Sequence, residues 1–183
     1  VSGKGKVFFD KLQVTVGGED TLREEIVHPC KNKVEDLPAA ATAKEIILFQ
    51  TPGSQKVYPN YIPSRDELID APLKLSLASG EERLLALGIY SNKFAGDIEA
   101  ELESFSGLKT KCSRPKMQKL RTEMKSSDYT IGPRILEPNK PLVLGKNKSG
   151  QFVFSFRTGK NLDTGIKKGK IVLRSGAKVL AEI

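Results

Sequence analysis

The chain has 183 residues and a formal net charge of +8, with 38% hydrophobic and 28% charged residues. That is apolar material for one packed domain or one and a half, and too much for a disordered tail. No apolar run approaches the ~18 residues of a membrane-spanning helix, and two cysteines with one histidine cannot supply a four-ligand zinc site.

The start, Val1-Ser2-Gly3-Lys4-Gly5-Lys6, has neither an initiator Met nor an apolar signal segment, and reads as the cut end of a longer or processed chain. Residues 6–16 are rich in aromatic and β-branched residues. They predict a strand with Leu12, Val14 and Val16 on one face, ended by Gly17-Gly18. Residues 20–27 predict a short helix, capped by Asp20 or Thr21 and stopped at His28-Pro29. Residues 37–43 are small and featureless and read as a crossing segment. Glu45-Ile46-Ile47-Leu48-Phe49 is a buried strand bounded by Thr51-Pro52-Gly53.

Pro52, Pro59, Pro63 and Pro72 make the next stretch turn-rich, and Ser64-Arg65-Asp66-Glu67 fits a capping box over one or two helical turns. Leu73, Leu75 and Leu77 alternate with Lys74 and Ser76, the pattern of a strand. After a Ser79-Gly80 turn, residues 83–90 are nearly all apolar, as in a central strand covered on both faces. Ile98, Ala100 and Leu102 alternate with Glu99, Glu101 and Glu103, a strand with one wet face. Met117, Leu120 and Met124 have helical spacing, yet their neighbours on both sides read as strands, so the two alternatives stand side by side.

The last fifty residues are the clearest. Phe152, Phe154 and Phe156 share one face, with Val153 and Ser155 on the other. Lys170-Ile171-Val172-Leu173-Arg174 and residues 178–183 flank a Ser175-Gly176 turn, the mark of a hairpin. The fold class that follows is all-β: a two-layer antiparallel β-sandwich with one or two short helices. The Phe152/Phe154/Phe156 face is expected to meet the Leu85/Leu87/Ile89 face in the core.

Catalysis needs converging polar groups, and the sequence offers few. His28 is the one residue with an ordinary pKa near neutrality, and it lacks an orienting partner in sequence. Neither a nucleophile elbow nor a phosphate loop is present. Glu24-Glu25, Asp66-Glu67, Glu81-Glu82 and the Glu99/Glu101/Glu103 face all have structural explanations. No catalytic residue, metal ligand or cofactor is therefore assigned. Cys30 and Cys112 are either two buried thiols or one disulfide.

Two binding sets remain. Tyr58 and Tyr61 lie on a proline-flanked loop, where aromatic faces stack on sugar rings or pin the loop to the fold. Lys109, Lys111, Arg114, Lys116, Lys119 and Arg121, with Lys167, Lys168 and Lys170, are the alternative, a polyanion surface. They lack the interleaved aromatics of a single-strand binder, so nucleic acid is not expected.

Gly80-Glu81-Glu82, the strand to Tyr90 and Gly96-Asp97-Ile98-Glu99-Ala100-Glu101-Leu102 form a pattern that continues later in the chain. It resumes with Tyr129, Pro133-Arg134-Ile135-Leu136, Gly150-Gln151-Phe152-Val153-Phe154-Ser155-Phe156 and Gly165 to Leu173. Together these resemble the immunoglobulin-like β-sandwich that precedes a TIM-barrel glycoside hydrolase in secreted bacterial proteins of the β-N-acetylgalactosaminidase type. The resemblance covers residues 72–183. It departs from the family pattern in having no Trp, and no proline in residues 158–164. Residues 5–14 look like the last strand of a jelly-roll carbohydrate-binding module. The implied organisation is residues 1–62 as a strand-containing segment ending a preceding β-module, and residues 63–183 as the sandwich. The implied role is a non-catalytic module, partnered by an adjacent catalytic domain and a glycan, secreted, periplasmic or at the cell surface.

Overall fold

The computed structural model describes residues 30–52, 55–121, 129–159 and 165–183. The strand expected over residues 6–16, the helix over residues 20–27 and His28 lie outside them. The described chain is an all-β sandwich of two packed antiparallel sheets.

The first sheet contains β1 (Ile46–Phe49), β2 (Glu82–Ser91), β7 (Lys148–Thr158), β4 (Leu108–Arg121) and β5 (Tyr129–Pro138), in that spatial order. The second runs β6 (Leu142–Leu144), β3 (Gly96–Glu103), β8 (Lys170–Ser175), β9 (Lys178–Glu182). β8 and β9 form the expected terminal hairpin, turning at Gly176 with φ +55°.

The alternation of β7 is explained by its two unlike faces. Phe152, Phe154 and Phe156 are buried between the sheets, with Ile98, Leu142, Leu144, Ile171 and Leu173. One expectation is corrected here. Leu85 and Leu87 pair in register with Phe154 and Phe152, so the leucine and phenylalanine rows lie side by side in one sheet. Together they face the second sheet. A shared period of two fixes which face a row takes, and only hydrogen-bond register fixes its neighbour.

The other face of β2 carries Ala86, Gly88 and Tyr90. A smaller cluster covers its lower end, in which Ile47, Phe49, Val57, Leu37 and Tyr90 are buried together. β1 thus comes from the N-terminal segment and is laddered to β2 from Ile46↔Ser91 to Phe49↔Gly88. This makes β2 a central strand covered on both faces, as its composition predicts.

Two local expectations differ, and one pair of alternatives is resolved. Residues 34–42 are not a featureless crossing segment: a 3₁₀ turn (Val34–Asp36) and one turn of α-helix (Ala39–Thr42) form there. An alanine run has the highest helix propensity, and Pro38 supplies its N-cap. Residues 73–77 are not a strand. Leu73 and Leu77 pack on the core without a ladder partner, and Leu75 is exposed. Residues 116–121 are strand, because β5 supplies a ladder that helical spacing cannot outweigh; Met124 lies outside the described residues. The capping box is present, with Ser64 N–H donating to Glu67 Oε2 at 2.8 Å over a 3₁₀ turn (Arg65–Glu67).

Candidate functional site

β4 changes partner along its length. Residues 108–113 are laddered to β7, ending at Ser113↔Val153. From Ser113↔Pro138 onward β4 is laddered to β5. The cause is legible in the hydrogen-bond alternation of antiparallel strands. Thr158 N–H donates to Glu81 on the β2 side, whereas Ser149 N–H turns away and donates to Pro59 C=O at 2.8 Å. Odd-numbered residues of β7 therefore face β4. The next rung would join Gln151 to Pro115, and Pro115 has no N–H to give. The strands part there, and the Gln151 main chain is turned into the fork.

The fork holds a cleft of about 610 Å³. β4 contributes Arg114, Pro115, Lys116 and Met117, β5 contributes Glu137, β6 contributes Leu142–Leu144, and β7 contributes Lys148–Gln151. Val57 and Pro59 form the remaining bank. Arg114 and Glu137 are directly opposed in the β4–β5 ladder, which is why they meet. Arg114 Nη2 donates to Glu137 Oε2 at 3.1 Å, and Lys116 Nζ lies 3.5 Å from Glu137 Oε1. Arg114 Nε is buried without a hydrogen-bond partner. Gln151 is 6% exposed.

The structure brings part of the basic set to this cleft, and of the tyrosine loop only the neighbours of the two candidates, not Tyr58 or Tyr61 themselves. From the basic set come Arg114 and Lys116. Lys109 and Lys111 sit on the outer face of the first sheet, beside Arg157 and Ser155. Lys119 is exposed farther along β4, which Arg121 closes. Lys167 and Lys168 are exposed ahead of β8, and the Lys170 ammonium pairs with Glu182 at 2.8 Å.

From the tyrosine loop come Val57 and Pro59, with half-buried Tyr58 between them. Tyr61 is committed to holding the loop. Its ring stacks on Phe49 at 5.5 Å. Its hydroxyl donates to Glu67 at 2.6 Å and accepts from Gln55 at 3.0 Å. Burial and the Glu67 carboxylate push its phenol well above the usual range. Ser149 Oγ donates to Tyr61 C=O at 2.7 Å, fastening the loop to β7.

The described carboxylate pairs are engaged elsewhere; Glu24 and Glu25 lie outside the described residues. The Ala78 N–H and the Arg83 guanidinium hold the Glu81 carboxyl below its ordinary range, the opposite of what a general acid needs. Glu82 accepts from Ser155 Oγ, and Glu101 pairs with Arg174. Both cysteines are free thiols. Among the described residues no three His, Cys, Asp or Glu side chains are grouped to hold a metal.

Sequence reasoning passes over Glu137, Lys148 and Gln151. The only local signal is the polar run Lys148-Ser149-Gly150-Gln151 at the head of an aromatic strand.

No protein-family model matches the chain, and no curated protein matches it. Among solved structures the chain is similar to a family 123 glycoside hydrolase from Clostridium perfringens, whose structure was analysed for the details of glycolipid glycan hydrolysis. The TM-score is 0.45 at 16% identity, and the match covers 56% of this chain and 20% of that one.

Proposed function

We propose that this chain is a non-catalytic β-sandwich module of a secreted carbohydrate-active protein, and that it holds a glycan in the fork between β4 and β7. The observation that carries the reading is the composition of the cleft. Apolar walls from Val57, Pro115, Met117 and Leu144 stand beside Arg114, Glu137, Lys148 and Gln151. A sugar ring has apolar C–H faces and hydroxyl edges, and a concave apolar site with a few placed polar groups suits it. The sequence resemblance of residues 72–183 supplies the setting: a catalytic domain in the same protein, for which this module extends the glycan site.

The test is a glycan array probed with the chain and with Val143→Trp. Val143 is 63% exposed on β6, at the rim of the cleft, so the indole fills the opening without disturbing the core. Binding that drops at least tenfold in Val143→Trp, and falls in Tyr58→Ala, is the expected result. An array without a binder would end this reading.

A further inference from the structure

We propose that the fork cleft selects an acidic sugar, taking one oxyanion, a uronate carboxylate or a sulfate ester, between Arg114 and Lys148. This rests on the reading of the cleft as a glycan site and specifies what that glycan carries.

Arg114 provides the first observation. Its guanidinium has five N–H donors in a rigid fork. Glu137 takes the Nη2 edge, and Nε is left buried with no acceptor. A buried donor on a charged group is costly when unpaired, and native structures fill such positions. An anionic oxygen fills it best, because hydrogen bonds between charged partners are roughly twice as strong as neutral ones.

The balance of charge and donors is the second. Arg114, Lys116 and Lys148 face one carboxylate, Glu137. Lys148 is exposed on the opposite bank, with no carboxylate partner among the described residues. Gln151, 6% exposed, lines the same cleft. Glu137 cancels part of the positive charge and fixes the plane of the guanidinium through Nη2.

The remaining cations restrict the ligand to a single oxyanion. A polymer read by its backbone needs a continuous basic stripe. Here Lys109 and Lys111 lie on the outer face beside Arg157, and Lys170 is spent on Glu182.

The experiment pairs oligosaccharides bearing uronate or sulfate with their carboxyl-reduced and desulfated counterparts on one array, followed by calorimetry of the hits at low and physiological salt. The acidic member of a pair should bind roughly tenfold tighter. Arg114→Lys, which keeps the charge and removes Nε, and Lys148→Gln, at an exposed position, should each weaken the acidic member by about tenfold, and by more than they weaken the neutral member. Which acidic member prefers the cleft separates carboxylate from sulfate. Equal binding of acidic and neutral members would overturn the inference and leave the glycan reading intact. No binding by any member would remove both. Single-stranded DNA competing at equal charge would replace the single oxyanion with a general polyanion and overturn the inference.

Discussion

The two halves of β4 are built from similar residues and end in different surroundings. Residues 108–113 carry Lys109 and Lys111 and lie against β7. Their lysines point away from the core beside Arg157, into water that screens them. Residues 114–121 carry Arg114 and Lys116 and lie against β5. There Arg114 reaches Glu137 at the mouth of a cleft and leaves a buried N–H unmet. One proline separates the two outcomes. A basic run in sequence is a quantity of charge; strand partnership decides whether it becomes a site.

The largest effect comes from removing what both halves stand on. Phe154 is fully buried and lies opposite Cys112 in the β4–β7 ladder. Phe154→Ala is expected to cost about 3–5 kcal/mol in urea unfolding; a loss below about 1 kcal/mol would mean the sheets repack freely. Next is the far bank of the fork. Tyr61→Phe keeps the stack on Phe49 and removes the hydroxyl's bonds to Gln55 and Glu67, for an expected loss of about 1–3 kcal/mol. An unchanged urea midpoint would show that the loop is held by its ring alone.

The first half also has a pH signature. Burial pushes the Cys112 thiol up from an ordinary 9.0 to about 11. The unfolded chain therefore releases this proton first. The stabilisation is complete below pH 9 and is lost as pH rises towards 11. The fall in urea midpoint over that window should be shallower in Cys112→Ala than in the parent; identical slopes would remove Cys112 as the cause.

The smallest effects sharpen the comparison most. Glu137→Gln breaks a pair whose side chains are each 26% exposed, for an expected loss of about 0.5–1 kcal/mol. Lys111→Gln, on the solvated face, should stay within about 0.5 kcal/mol of the parent. If the two variants proved equal in thermal unfolding, the halves of β4 would differ in appearance only.

Much of the fold is legible from residues alone, for identifiable reasons. Phe152, Phe154 and Phe156 declare a strand because one face is buried and the other is not. Residues 83–90 declare a central strand because both faces are covered for most of its length. Leu73, Leu75 and Leu77 carry the same period without a neighbour to pair with, and pattern alone cannot register that absence. Met117 and Leu120 have helical spacing that the β5 ladder overrides. The cleft is the least legible part. Arg114, Glu137 and the run from Lys148 to Gln151 are far apart in sequence, and nothing local to any of the three announces the others. Pro115 is the exception: a proline inside a long strand marks where a ladder must end, although not what gathers in the gap.

Gly88 has a consequence that reaches beyond this molecule. A Cβ at that position would lie 2.2 Å from a carbon of the Phe49 ring. The aromatic ring and the bare backbone are thus two halves of one fit, made by directly paired residues on β1 and β2. In related chains, positions 49 and 88 should change together, a bulkier residue at one appearing with a smaller residue at the other. That paired substitution offers a way to recognise distant relatives of this sandwich where overall identity has faded.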